Sequence, residues 1–150
     1  MKVAVFLGSE SDREYTQKLE AVLKDFHVSF ETIVCSAHRA PKRLVEEVRR
    51  VENEGAQVLI GLAGYAAHLP GALAAHSHLP VIGVPLPTST LEGVDSILSI
   101  AQMPGGVPVA TMSIGHAGAK NAALLSVQIL ALSDRELSQK WLQYKQSLCS

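Results

Sequence analysis

The segment Ser36-Ala37-His38-Arg39-Ala40-Pro41 places a hydroxyl, an imidazole and a guanidinium within four residues. Arg39 can grip a phosphate with its planar fork, Ser36 adds a hydroxyl donor, and His38 is the side chain best suited to move protons near neutral pH. A strand-like run precedes the segment and a helix-like run follows it. In parallel α/β sheets that junction is where ligands bind. Ser, His and Arg also crowd ordinary turns, so the neighbouring segments have to decide.

A second polar turn, Gly8-Ser9-Glu10-Ser11, also follows a strand-like run. The tetrapeptide Ser-Asp-Arg-Glu occurs at Ser11 to Glu14 and again at Ser133 to Glu136. Both copies fit a capping box, in which the serine caps a helix and the glutamate reaches back. For Ser133 capping is a sufficient reading. For Ser11, at a strand end, free N–H groups and the helix dipole also suit an anion, so ligand binding and plain capping both stand. Asp12 would repel a phosphate and is better matched to sugar hydroxyls.

The loop from Gly64 to Gly71 is built of small residues that let a ligand approach the backbone, or a helix pack closely. Its position after a central strand favours the ligand. His68, taken alone, reads as structural. Gly105-Gly106 and Gly115-x-x-Gly118 complete neither a GxGxxG fingerprint nor a P-loop, and no G-x-S-x-G elbow is present. His38, His68, His76 and His78 lack metal-ligand spacing, and Cys35, a possible thiol partner for His38, reads as a small buried hydrophobe.

The elements that must position these loops follow from periodicity. Lys2 to Leu7, Val58 to Ala63 and Val81 to Val84 are apolar runs expected of strands buried on both faces, and Val28 to Val34 alternates as a strand nearer the sheet edge would. Val107 to Ile114 is the fifth predicted strand. Helical stripes run through Tyr15, Leu19, Val22, Leu23 and Phe26 and through Leu44, Val45, Val48 and Val51. Pro41 opens the second of these helices and Gly55 ends it. Further helices are expected from about Leu69 to His76, through Val94, Ile97, Leu98 and Ala101, and from Gly115 to Leu132. The βαβαβαβαβα order requires right-handed crossovers and a parallel sheet. The predicted fold class is α/β, a three-layer, flavodoxin-like, doubly wound sheet of five strands spanning residues 1–132. The segment 133–150 carries Leu137, Trp141, Tyr144 and Leu148 on one stripe, an amphipathic helix expected to pack on a neighbouring subunit.

At 150 residues the chain is long enough for one domain with a real core. Its hydrophobic content of 47% and charged content of 18% describe a globular protein, and the low charge with a positive mean hydropathy of +0.19 fits a surface partly covered by other subunits. A net charge of -1 argues against a nucleic-acid or membrane binder. No run reaches membrane-span length, and Met1 leads directly into a strand without a signal peptide. Cys35 and Cys149 form no disulfide framework. A soluble, cytoplasmic protein is expected.

Gly8-Ser9-x-Ser11-Asp12, Ser36-Ala37-His38-Arg39, Ala66-Ala67-His68-Leu69-Pro70-Gly71 and Gly93-Val94-Asp95-Ser96, with Gln102-Met103-Pro104 and Asn121-Ala122-Ala123-Leu124-Leu125, resemble the N5-carboxyaminoimidazole ribonucleotide mutase family of purine biosynthesis. The resemblance runs in order along nearly the whole chain. It implies a homo-octamer without metal or organic cofactor and a small ribonucleotide substrate. It further implies a carboxylate shift within that substrate, in which a carbamate leaves as carbon dioxide and adds to C4 of the same imidazole. Carried over by position, His38 is the acid and then the base, and Ser9, Ser36 and Arg39 hold the phosphate. Asp12 binds the ribose, and Gly8, Gly64, Ala66, His68 and Leu69 complete the substrate-binding set, with His68 as pocket wall. A related branch carboxylates aminoimidazole ribonucleotide directly, and Ala66 to Pro70 favours the mutase branch. Two positions depart from the family pattern. Tyr65 stands where the mutases commonly have glycine, and Ala40 replaces a threonine, removing a helix cap worth about 1 kcal/mol.

Overall fold

A computed structural model describes residues 1–149. The strands are β1 (Val3–Leu7), β2 (Phe30–Val34), β3 (Val58–Ala63), β4 (Val81–Pro85) and β5 (Ala110–Thr111). The helices are α1 (Thr16–Asp25), α2 (Pro41–Asn53), α3 (Leu69–His76), α4 (Val94–Ala101), α5 (His116–Ala131) and α6 (Arg135–Ser147). All strand pairs are parallel and the sheet order is β2-β1-β3-β4-β5. This is the doubly wound order expected from the sequence, with strands added on one side of β1 and then, from β3 on, on the other.

Alternation along each strand builds the three layers. Val3, Val5 and Leu7 of β1 face one side with Leu19 and Leu23 of α1 and Ala119, Ala122 and Val127 of α5. Ala4 and Phe6 face the other with Leu44, Val48 and Val51 of α2, Leu73 of α3 and Ile100 of α4. Burial on both faces explains why β1, β3 and β4 read as continuous apolar runs. At Gly83 of β4 a methyl group would stand 2.4 Å from Ile100, so glycine is what lets α4 approach the sheet.

Four sequence expectations need correction. The first helix does not start at Asp12. Glu10–Tyr15 form a 3-10 turn and α1 begins at Thr16. Ser9 caps the 3-10 turn, its hydroxyl accepting from the Ser11 N–H in place of a Ser11–Glu14 capping box, and α1 itself has no side-chain cap. At the second copy of the tetrapeptide the cap is Asp134, whose carboxylate accepts from the Leu137 N–H at 3.0 Å, while the Ser133 hydroxyl donates to the Leu130 carbonyl. A carboxylate beside Lys2, 3.0 Å away, outcompetes the hydroxyl. The expected strand Val107 to Ile114 shrinks to Ala110–Thr111. It lies at an open sheet edge, Pro108 has no N–H to donate, and the Val107 N–H is used in a turn to Pro104. Strand β2 likewise begins at Phe30, two residues later than expected.

The C-terminal helix α6 packs on its own chain. Leu137 is 5% exposed within the first core, and Trp141 and Tyr144 lie against Phe26 with ring centroids 6.4 and 5.6 Å away. Leu142 and Leu148 remain exposed. Residue 150, the last of the predicted helical segment, lies outside the described residues.

Candidate active site

Parallel register brings the strand ends level: Leu7 pairs with both Val34 and Leu62, and Ala63 with Pro85. The loops after β1, β2, β3 and β4 therefore emerge side by side and enclose a cavity of about 780 Å³ over the β1–β3 switch point. Gly8, Ser9, Asp12, Ser36, His38, Arg39, Gly64, Ala66, His68 and Leu69, the residues singled out in the sequence, all line it.

The loop after β2 presents its chemistry by continuing the strand's alternation. Cys35 and Ala37 are 2% and 8% exposed in the second core, which anchors the loop and turns Ser36 and His38 outward. A turn closed by the Ala40 N–H on the Ser36 carbonyl, with the Arg39 N–H donating to the Ser36 hydroxyl, fixes the segment. Cys35 does not line the cavity, and burial pushes its thiol pKa up, which disfavours a thiolate nucleophile. Ala40 caps α2 without a side-chain bond.

The loop after β3 follows the same rule. Ala67 and Leu69 are each 2% exposed, whereas Tyr65, Ala66 and His68 face outward. His68 stacks on His38, ring centroids 5.1 Å apart and planes 15° from parallel. The wall expected at His68 is thus a wall in direct contact with the proposed proton carrier. Gly64 is required by the loop after β4, because a methyl group there would lie 1.7 Å from the Thr88 hydroxyl.

Charge in the cavity is divided. Arg39 reaches the Gly8 carbonyl only at 3.5 Å and has no carboxylate partner among the described residues, which leaves its guanidinium for an anion. Arg50 of α2 is the contrast, held by Glu31, Glu47 and Glu54. Asp12 is 7% exposed. Burial pushes its pKa up, and hydrogen bonding to the Ser9 backbone pulls partly the other way. The buried carboxylate lies beside Gly8, where it can accept a hydrogen bond from a hydroxyl in the cavity.

The cavity also takes in Glu14, Tyr15, Pro87 and Thr88, none of which was assigned to the site from the sequence. Tyr15 stacks on His116 at 4.5 Å. Pro85 at the end of β4 and Pro87 just after it stiffen the loop that carries Thr88, a signal present in the sequence. Among the described residues no group of three or more His, Cys, Asp or Glu stands together as a metal site.

Comparison with known proteins agrees with this geometry. The family model described as AIR carboxylase matches residues 2–150. The chain belongs to the AIR carboxylase family. Within it, the N5-carboxyaminoimidazole ribonucleotide mutase of Saccharolobus solfataricus is 48% identical over 147 residues, covering 98% of this chain and 92% of that protein. The mutase of Synechocystis sp. is 51% identical over 146 residues, covering 97% and 82%. The crystal structure of PurE from Treponema denticola superposes with a TM-score of 0.89 at 28% identity, covering 98% of this chain and 90% of that one. The five-stranded sheet is thus the architecture of a solved structure of this kind. Tyr65, read in the sequence as a departure from the mutase pattern, has a left-handed φ of 53°.

Proposed function

We propose that this chain is an isomerase that converts N5-carboxyaminoimidazole ribonucleotide to the 4-carboxy isomer in de novo purine biosynthesis. The observation that carries this reading is the meeting of His38, Asp12 and Arg39 in one cavity whose wall includes the small residues Gly64, Ala66 and Ala67. The mutases that are about half identical over nearly the whole chain supply the substrate.

The chemistry follows from these side chains. Arg39, with Ser9 and Ser36, holds the phosphate, and Asp12 accepts from the ribose hydroxyls. The carbamate C–N bond breaks with its electron pair left on nitrogen, which takes a proton from His38, and carbon dioxide is released into the cavity. The C4 π electrons then attack carbon dioxide, a C4–C bond forms, and the C4 proton passes to His38, which is restored. The backbone and side chains of Gly64, Ala66, His68 and Leu69 enclose the base and keep water away. The cycle is redox-neutral and uses no group beyond the substrate and the chain.

Direct carboxylation of aminoimidazole ribonucleotide is the second reading, favoured by the family description itself. The two are separated by following the 4-carboxy product from each substrate: the N-carboxylated ribonucleotide, or aminoimidazole ribonucleotide with bicarbonate. Rapid use of the former supports the mutase. Preference for the latter moves the chain to the carboxylase branch. Binding without turnover of either leaves a nucleotide-monophosphate binding module.

In the same reading, residues 1–132 form the catalytic domain of a cytoplasmic enzyme and residues 133–150 meet a neighbouring subunit in a homo-octamer. The exposed Leu132, Leu142 and Leu148, and a groove of about 420 Å³ beside Trp141 and Tyr144, support a covered surface there. Sedimentation as a monomer would overturn that assembly.

A further inference from the structure

The 3-10 turn Glu10–Tyr15 sorts its side chains by threes, because residues i and i+3 eclipse one another in such a turn. Glu10 and Arg13 share one face and pair with each other. Asp12 and Tyr15 share another, and both line the active-site cavity, which Glu10 and Arg13 do not. Backbone and side-chain bonds fix the turn. The Asp12 N–H donates to the Ser9 carbonyl at 3.1 Å, and the Thr16 hydroxyl donates to the Arg13 carbonyl at 2.8 Å. The face that carries Asp12 to the cavity therefore carries Tyr15 with it.

The Tyr15 ring is also held from outside the turn. It stacks on His116, ring centroids 4.5 Å apart and planes 27° from parallel. His116 opens α5 directly after Gly115, whose N–H donates to the Pro85 carbonyl at 2.8 Å. The stack occupies one face of the ring and leaves the hydroxyl uncommitted, since no hydrogen bond among the described residues uses it. Nor is the hydroxyl sealed away, because no buried side-chain oxygen among those residues lacks a partner. Burial, with the carboxylates of Glu14 and Asp12 nearby, pushes the phenol pKa up, so the proton stays on and the group remains a donor.

We propose that Tyr15 is a second ribose-binding residue, whose hydroxyl bonds one hydroxyl of the sugar diol beside Asp12, and that His116 is the positioning residue for its ring. The proposal rests on the ribonucleotide substrate proposed above. An ionised carboxylate only accepts, so Asp12 can take protons from a diol but leaves the diol oxygens without a donor. A phenol on the same face supplies that donor. A phosphate fits this end of the cavity poorly, because Asp12 and Glu14 repel it. The pair makes the site selective for ribose over deoxyribose, since a site built to bond a hydroxyl binds the analogue lacking it less well.

The test uses the full-length protein. Aminoimidazole ribonucleotide and its 2′-deoxy and 3′-deoxy analogues are titrated against wild type and Tyr15→Phe, and kcat and KM are measured on the N-carboxylated ribonucleotide. Tyr15→Phe keeps the ring and its stack. It is expected to bind the ribonucleotide roughly three- to tenfold more weakly, with KM raised more than kcat is lowered. With one of the two deoxy analogues the variant should bind as well as wild type, because the partner of the phenol is already missing. His116→Ala should raise KM more than it lowers kcat, and His116→Phe, which restores a stacking ring, should recover it. Unchanged KM in His116→Ala overturns its positioning role. Equal binding of the ribonucleotide by wild type and Tyr15→Phe, or an undiminished loss with both deoxy analogues, overturns the assignment of Tyr15 while the isomerase reading stands. No turnover by wild type, with the Tyr15 effect on binding intact, overturns the isomerase reading alone. No binding of the ribonucleotide to wild type overturns both.

Discussion

The imidazole rings of His38 and His68 lie face to face, 5.1 Å between centroids and 15° from parallel, although they belong to loops after different strands. The stack holds His38 at one angle to the cavity. Replacing His38 with Asn removes the proton carrier and is expected to lower kcat roughly a hundred- to ten-thousandfold with ribonucleotide binding retained. Replacing His68 with Phe preserves a flat stacking partner and should cost less in kcat than His68→Ala. Steady-state kinetics on the variants checks both. Equal losses for the two His68 replacements would remove its positioning role.

Asp12 joins a binding requirement to a stability cost. Because burial raises its pKa, the folded chain holds that proton to higher pH than the unfolded chain. Its contribution therefore favours the fold below the ordinary carboxylate range and is lost as pH rises through the raised value. Asp12→Asn is expected to raise Tm at neutral pH, with the gain shrinking as pH falls into the carboxylate range. The same variant should bind the ribonucleotide more weakly. Thermal melts across pH and a binding titration test the two effects separately.

Arg39 lacks a carboxylate partner among the described residues and is free to offer its fork to a phosphate. Arg39→Lys keeps the charge but loses bidentate geometry. KM should rise with kcat less affected, and Tm should hardly change. A large drop in Tm would instead mark Arg39 as a structural residue.

Gly64 and Thr88 are mutually exclusive in size. A methyl at Gly64 would stand 1.7 Å from the Thr88 Oγ1 and 3.1 Å from its Cβ. Gly64→Ala should displace Thr88 from the cavity wall, lowering both activity and Tm, and adding Thr88→Ala should recover part of each. Activity assays and melts on the single and double variants measure that coupling.

Helix α6 is anchored within its own chain through Leu137, which is 5% exposed. Leu137→Ala is expected to cost about 2–3 kcal/mol of stability, read by denaturant unfolding. A loss confined to assembly, with an unchanged unfolding midpoint, would show that the helix acts between subunits alone.

What could be read without the structure was local. Unbroken apolar runs at β1, β3 and β4, stripes on α1 and α2, and polar clusters at the strand ends dictated the βα order, the sheet and the cavity loops. Each depends on residues close in the chain, and parallel connections leave the loops only one edge at which to gather. Only the tertiary structure decided what depends on contacts between distant segments. These are the stack of His68 on His38, the burial of Asp12, the claim of Thr88 on the space beside Gly64, and the packing of Trp141 and Tyr144 on Phe26. The errors have the same origin. Ser11 and Ser133 both suited a cap by spacing, but Ser9 and Asp134 were better placed, the latter beside Lys2. An expected eight-residue strand became a two-residue one, because an edge strand pairs only where its single neighbour offers groups to bond. Periodicity records which face of a segment is apolar, whereas the partner that face or loop meets is chosen when the whole chain packs.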